Sequence, residues 1–138
     1  MADQLLNKGF KVLSTYNSSS SNGVTQYRCV KVDSSGNVDL NATAATMSLG
    51  IVQENIDATK VATGKAVANI AIEGVSWVYV ATATSLVYGS KVMAGTGGGV
   101  LLATSTNAVV GIVVEIPNST TLASGDLVGI LLTPGCVA

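Results

Sequence analysis

The sequence predicts an all-β fold: a small β-barrel or sandwich with an internal pseudo-repeat and an extended N-terminal arm. Three observations predict it. The chain resembles itself: Leu49-Gly50-Ile51-Val52-Gln53-Glu54 returns as Val110-Gly111-Ile112-Val113-Val114-Glu115, and Gly64, Val67 and Gly74 fall opposite Gly125, Val128 and Gly135 in the same ungapped register, 61 positions on. Two copies of one strand-and-turn unit point to a pseudo-symmetric β architecture. Short runs rich in Val, Ile and Thr alternate with Gly, Asn and Ser turns at roughly 8–12-residue spacing, the rhythm of a small barrel or sandwich. Long helical periodicity is absent.

The elements follow in order. Residues 1–22 read as an arm and loop: Leu5, Leu6 and Phe10 are apolar among polar neighbours, Phe10 to Tyr16 reads as extended, and Asn17–Asn22 is a low-complexity Ser-rich stretch. Residues 23–138 read as the β-domain. Val24 to Val32 is strand-like, Asp33-Ser34-Ser35-Gly36-Asn37 is a turn, and Val38 to Leu40 returns. Ser48 to Gln53 is a short buried strand, followed by one helical turn within Asn55 to Ala62. Ala66 to Ile72 and Val75 to Thr82 are strands about Glu73-Gly74. Val75, Trp77 and Tyr79 share one face of the latter, and Ser76, Val78 and Val80 the other; with both faces mostly apolar, this strand is expected to be covered on both sides and Trp77 to be core. Lys91 to Ala94, Gly99 to Leu102, Ala108 to Glu115 and Leu127 to Leu132 complete the set. Gly64, Gly89 and Gly125 each stand three residues before a Val, a tight entry into an inward-pointing strand.

Composition narrows the partners. The 138 residues are 48% hydrophobic but only 11% charged, with a formal net charge of −1. Typical soluble chains carry about 25% charged residues, so little here keeps neighbours apart, and some neutral surface is expected to be covered in an assembly. The seven cationic residues are scattered, which excludes a phosphate-binding patch and argues against nucleic acid. The uncharged run from Val92 to Val114 is broken by Gly95, Gly97, Gly98 and Gly99 and by Ser, Thr and Asn, so no membrane span is expected. Met1 to Lys8 lacks a basic segment followed by an apolar run, so no secretory signal is expected.

The chemistry-bearing residues are sparse. There is no histidine, which removes the commonest general base and metal ligand, and any Ser–His–Asp or Cys–His arrangement with it. Glu54 and Glu115 are the carboxylate pair that the repeat relates, and both read as solvated positions after a buried strand. Asp33 to Asp39 offers oxygens at alternate positions but lacks the calcium-loop order, and reads as a hairpin turn. Gly95-Thr96-Gly97-Gly98-Gly99 lacks the Lys-Ser/Thr of a phosphate cradle and also reads as a turn. The sequons at Asn17, Asn41 and Asn118 carry no weight without a secretory signal. Cys29 reads as a small core residue and Cys136 as accessible; free thiols are favoured, and a disulfide between them would need Cα atoms within about 7 Å. No catalytic residue, cofactor or metal site is expected.

Six segments together resemble a known family: Leu49-Gly50-Ile51-Val52, Gly64-Lys65-Ala66-Val67, Ile72-Glu73-Gly74-Val75, Leu86-Val87-Tyr88-Gly89-Ser90-Lys91-Val92, Val110-Gly111-Ile112-Val113 and Gly125-Asp126-Leu127-Val128-Gly129-Ile130-Leu131-Leu132. They are similar to the small capsid decoration (cement) proteins of tailed bacteriophages, over about Val24 to Gly135. The resemblance implies a compact β-barrel, often a homotrimer, made in the host cytoplasm and seated on the outer capsid surface of the virion. There it would bridge major capsid protein subunits and do no chemistry. The arm, through Leu5, Leu6 and Phe10, is expected to add a strand to a capsid sheet edge. The alternative is a carbohydrate-binding or host-adhesion β-module that uses Trp77 or Tyr79 as a stacking platform.

Overall fold

The computed structural model describes residues 7–17, 23–117 and 121–137. The fold is all-β, with one short α-helix among the described residues. The strands are β1 Asn7–Lys11, β2 Cys29–Val32, β3 Val38–Leu40, β4 Gly50–Val52, β5 Val67–Ala71, β6 Val75–Tyr79, β7 Thr84–Ser85, β8 Lys91–Ala94, β9 Val100–Leu102, β10 Ala108–Glu115, β11 Thr121–Leu122 and β12 Leu127–Val137. Helix α1, Ala58–Ala62, stands where one helical turn was expected.

Two antiparallel sheets share one topology. The first runs β1-β5-β4-β2-β3 and the second β6-β12-β10-β8-β9; β7 and β11 form a small separate ribbon. Each sheet curls until its edge strands touch at one parallel bridge, Val12 with Val38 and Val80 with Val100. Each bridge is followed by the same hydrogen bond: the Leu13 amide donates to the Val38 carbonyl at 3.0 Å, and the Ala81 amide to the Val100 carbonyl at 2.8 Å.

The duplication therefore covers far more of the chain than the visible repeat. The turn Asp33–Asn37 and the turn Gly95–Gly99 are copies. Asp33 donates to the Asn37 carbonyl at 2.9 Å and Gly95 to that of Gly99 at 2.8 Å. Gly36 and Gly98 hold φ of 83° and 81° at the same point, a left-handed conformation that suits glycine. Val12 and Val80 lie 68 positions apart, Val38 and Val100 62, Gly50 and Gly111 61, and Ile70 and Ile130 60. The step from 68 to 62 falls in the connection that holds the Ser-rich stretch.

The ungapped register is thus corrected at one place. β4 pairs Val52 with Ile70, and β10 pairs Val113 with Ile130, so Val128 matches Ala68 rather than Val67. Burial gives the reason: Ala68 and Val128 are buried, whereas Val67 is exposed. A one-residue slip would turn every side chain of β12 to the wrong face. The repeat is clearest at Gly50 and Gly111 for a steric reason. A Cβ at Gly50 would meet the Ala71 carbonyl oxygen at 2.0 Å, and one at Gly111 that of Leu131 at 2.5 Å.

Each sheet wraps its own core. Val12, Val30, Val38, Val52, Ala68 and Ile70 pack under Val61 of α1, with Tyr16 and Val24. Their counterparts Val80, Val92, Val100, Val113, Val128 and Ile130 pack under Leu86 and Leu122. Helix in one half and ribbon in the other do the same covering work. The halves join because Cys29, Ile51 and Ala71 leave the first sheet on its other face and enter the second core. Ile51 is fully buried there, worth about 1.5–3 kcal/mol for its side chain. The Gln53 amide donates to Ser76 Oγ at 2.8 Å across the same junction.

The free arm expected over residues 1–22 is corrected for the part described. β1 pairs with β5 from Asn7–Ala71 to Lys11–Val67, Val12 is fully buried, and Tyr16 is nearly so. Backbone pairing and core burial make residues 7–17 part of the domain.

Candidate functional site

The apolar surface of the second half begins on β6. Its register sets Val75 beside Leu131, Trp77 beside Gly129 and Tyr79 beside Leu127. β10 then sets Leu131 beside Ile112, and β8 sets Ile112 beside Lys91. Val75, Leu131, Ile112 and Lys91 thus form one row across four strands. Val75 is 64% exposed, Trp77 39% and Leu131 40%. The expectation that β6 is covered on both faces, with Trp77 in the core, is overturned. Val78 and Val80 are buried, and the opposite face is open. Apolar residues on both faces do require a cover, but the described residues supply it for one face alone.

A cavity of about 560 Å³ lies along this surface, lined by Trp77, Tyr79, Pro117, Gly125, Asp126 and Leu127. Gly129 leaves space for the side chains on either side of it: a Cβ there would meet the Glu115 Cβ at 2.8 Å and Trp77 Cζ3 at 3.6 Å. Tyr79 is held from the first half. Its ring centroid lies 6.3 Å from that of Tyr27, and the Arg28 guanidinium stands 4.3 Å from it, within cation–π range. Tyr27 adopts φ of 64°, strained for a bulky residue, where the second copy has Gly89. Asp126 accepts a hydrogen bond from the Ala123 amide at 2.9 Å, which fixes the turn at the rim. Tyr27 and Arg28 carried no signal in the sequence, because they meet Tyr79 only across the junction of the two halves.

A second cavity, of about 550 Å³, lies on the first half and is lined by Val32, Thr46, Met47, Ser48, Leu49 and Ile72. Met47 is 54% exposed and Val32 45%. Its floor is ordered by Asn41, which is fully buried and donates to the Thr46 carbonyl at 2.9 Å and to Ser48 Oγ at 2.8 Å.

The other candidates fall into structural roles. Asp33 Oδ1 accepts from the Ser35 and Asn37 amides at 2.9 Å each, so the loop is the hairpin turn expected. Glu54 accepts the Asn69 amide at 2.9 Å on its own sheet, and Glu115 is exposed opposite Gly129. Among the described residues no three His, Cys, Asp or Glu side chains converge to hold a metal. Among them also no helix is long and apolar enough to cross a membrane. Cys29 is free and buried as expected; burial pushes its thiol up to about 12, against a smaller opposing pull from the Ser48 hydroxyl. Burial, reinforced by the Asp39 carboxylate, also raises the Tyr16 phenol above its usual range. Of the arm residues, Leu5 and Leu6 lie outside the described residues. Phe10 packs half-buried against the first core, so its ring belongs to this domain rather than to a free arm.

No protein-family model matches the chain, and a search of the curated proteins finds no match.

Proposed function

We propose that this chain is a structural capsid-decoration (cement) protein. It binds the outer surface of a phage head as a homotrimer and stabilises contacts between major capsid protein subunits. One observation carries the reading beyond the resemblance. Large apolar side chains stand exposed in contiguous groups on both halves, Val75, Trp77 and Leu131 on one and Val32 and Met47 on the other. Grouped exposure of this kind marks surfaces that other proteins cover. Several weak contacts from one oligomer add by avidity, so modest patches suffice. The test is co-sedimentation of the purified chain with heads that lack it, followed by heat challenge of the heads. Saturable binding and heads that release DNA at higher temperature are the expected result. A chain that stays in the supernatant overturns the reading.

A second reading has its own observation. Trp77 is open beside Tyr79 and Asp126, the pairing of aromatic face and polar edge that stacks on a sugar ring. A glycan array probed with the wild type and Trp77→Ala decides it. Binding that the substitution abolishes favours the adhesion module; no binding by either protein removes it.

A further inference from the structure

The two halves are joined by a contact that each half could make again. In the first sheet, β1, β5, β4 and β2 set Asn7, Ala71, Ile51 and Cys29 in one row. The matching row of the second sheet is Val75, Leu131, Ile112 and Lys91. Ala71, Ile51 and Cys29 are buried because they pack into the second half. Leu131 holds the position of Ala71 and is exposed, as is Val75 beside it at the end of the row, opposite Asn7 of the first sheet.

The receiving surface is duplicated as well. Ala94, Val110 and Leu132 lie in the second core, in one cluster with Cys29, Ile51 and Ala71. They are 2%, 1% and 7% exposed. Their counterparts on the first half are Val32, Leu49 and Ile72, which line the 550 Å³ cavity with Met47. Nothing in the chain's described residues fills that cavity. Among the described residues the second half therefore carries an unmatched row and the first an unmatched groove. Both are apolar, and within one chain their copies already fit each other.

We propose that the row Val75–Leu131–Ile112 of one molecule docks into the groove Val32–Met47–Leu49–Ile72 of a second copy of this chain, head to tail. The contact repeats between molecules the packing that joins the halves within one. Charge agrees with this pairing. Cys29 lies against the Gly98 turn, where a Cβ on Gly98 would meet its backbone nitrogen at 3.4 Å. The equivalent docking brings Lys91 to the Asp33–Asn37 turn, which carries an exposed carboxylate. Such a contact is heterologous, so it closes into a ring or runs on as a chain according to the rotation between copies. The inference rests on the oligomeric part of the function proposed above and names its surfaces.

The test uses two substitutions at exposed positions, Leu131→Asp on the row and Met47→Asp on the groove, with sedimentation velocity as the readout and circular dichroism as a check on folding. Each variant alone is expected to sediment as a monomer, its self-association weakened tenfold or more. A 1:1 mixture is expected to form dimers and stop there, since one intact row meets one intact groove. A wild-type oligomer that both variants preserve overturns the inference and leaves the oligomeric reading standing. Loss of assembly in both variants without dimers in the mixture also overturns it, because it marks a face-to-face contact. A wild type that is monomeric at every concentration overturns the inference together with the oligomeric reading.

Discussion

Replacing Gly50 by alanine tests whether the repeated glycines are set by the approach of the neighbouring strand. A Cβ at Gly50 would sit 2.0 Å from the Ala71 carbonyl oxygen, and real Cβ atoms essentially never come under 3.0 Å. β4 must then move from β5 by about 1 Å. Backbone hydrogen bonds span about 2.7–3.2 Å, so a shift of that size breaks the nearest one. β4 and β5 share just the pairs Ile51–Ala71 and Val52–Ile70, so the ladder has little to spare. A buried backbone group left unpaired costs about 1–3 kcal/mol, and overpacking adds about 1–3 more. Gly50→Ala is therefore expected to lose about 3 kcal/mol or more. Gly111→Ala starts from 2.5 Å, needs half the shift, and is expected to lose about 1–2 kcal/mol. Gly36→Ala meets nothing within 4 Å and bears only its φ of 83°, about 1 kcal/mol. The assay is urea unfolding followed by Trp77 fluorescence, with midpoints compared at constant slope. A Gly50→Ala midpoint equal to the wild type, or a larger loss at Gly111 than at Gly50, refutes the steric account.

Other substitutions probe the cores and the terminus. Tyr16 Oη is buried without a hydrogen-bond partner, so Tyr16→Phe is expected to leave stability unchanged or raise it by up to about 1 kcal/mol in the same urea assay. The Cys29 thiol titrates near 9.0 when unperturbed and near 12 in the fold. Deprotonation is thus easier in the unfolded chain, and the stability linked to this thiol is whole below pH 9 and is lost as pH rises toward 12. Unfolding midpoints measured across that range are expected to fall less steeply for Cys29→Ala than for the wild type. Native protein at neutral pH is expected to resist iodoacetamide at Cys29 until urea opens it, by mapping of the alkylated peptide. Removing residues 1–6 leaves β1 intact and is expected to preserve the circular dichroism spectrum, whereas removing residues 1–16 takes β1 and Val12 and is expected to abolish folding. Retention of the shorter deletion on heads, compared with the wild type, then isolates any part played by Leu5 and Leu6.

The strands and turns were legible because their chemistry is local: Asp33-Ser34-Ser35-Gly36-Asn37 spells its own turn, and the valine runs spell theirs. The repeat was legible at Gly50 and Gly111, where a carbonyl oxygen excludes every other residue. It was invisible between Val30-Lys31-Val32 and Val92-Met93-Ala94, although these strands pair in matching registers. There only the inward valine is constrained, and the outward residue differs because one copy's outer face meets the other half and the other copy's does not. Trp77 was misplaced for the same reason: alternation tells which residues share a face, not what lies over it. The aromatic cluster of Tyr27, Arg28 and Tyr79 joins residues about 50 positions apart through the junction, a distance that no local pattern spans.

Each sheet is assembled from one unbroken half of the chain, β1 to β5 and then β6 to β12. During synthesis the first half has all its strands once Ala71 has left the ribosome, and it can close before the second exists. Until β6 to β12 follow, Cys29, Ile51 and Ala71 face water on a finished sheet. The nascent chain thus passes through an interval in which a second ribosome's product on the same message offers the cover that its own unfinished half will provide. Slow translation just after residue 72 would lengthen that interval, and the yield of soluble protein would then depend on the pace of elongation rather than on the stability of the finished fold.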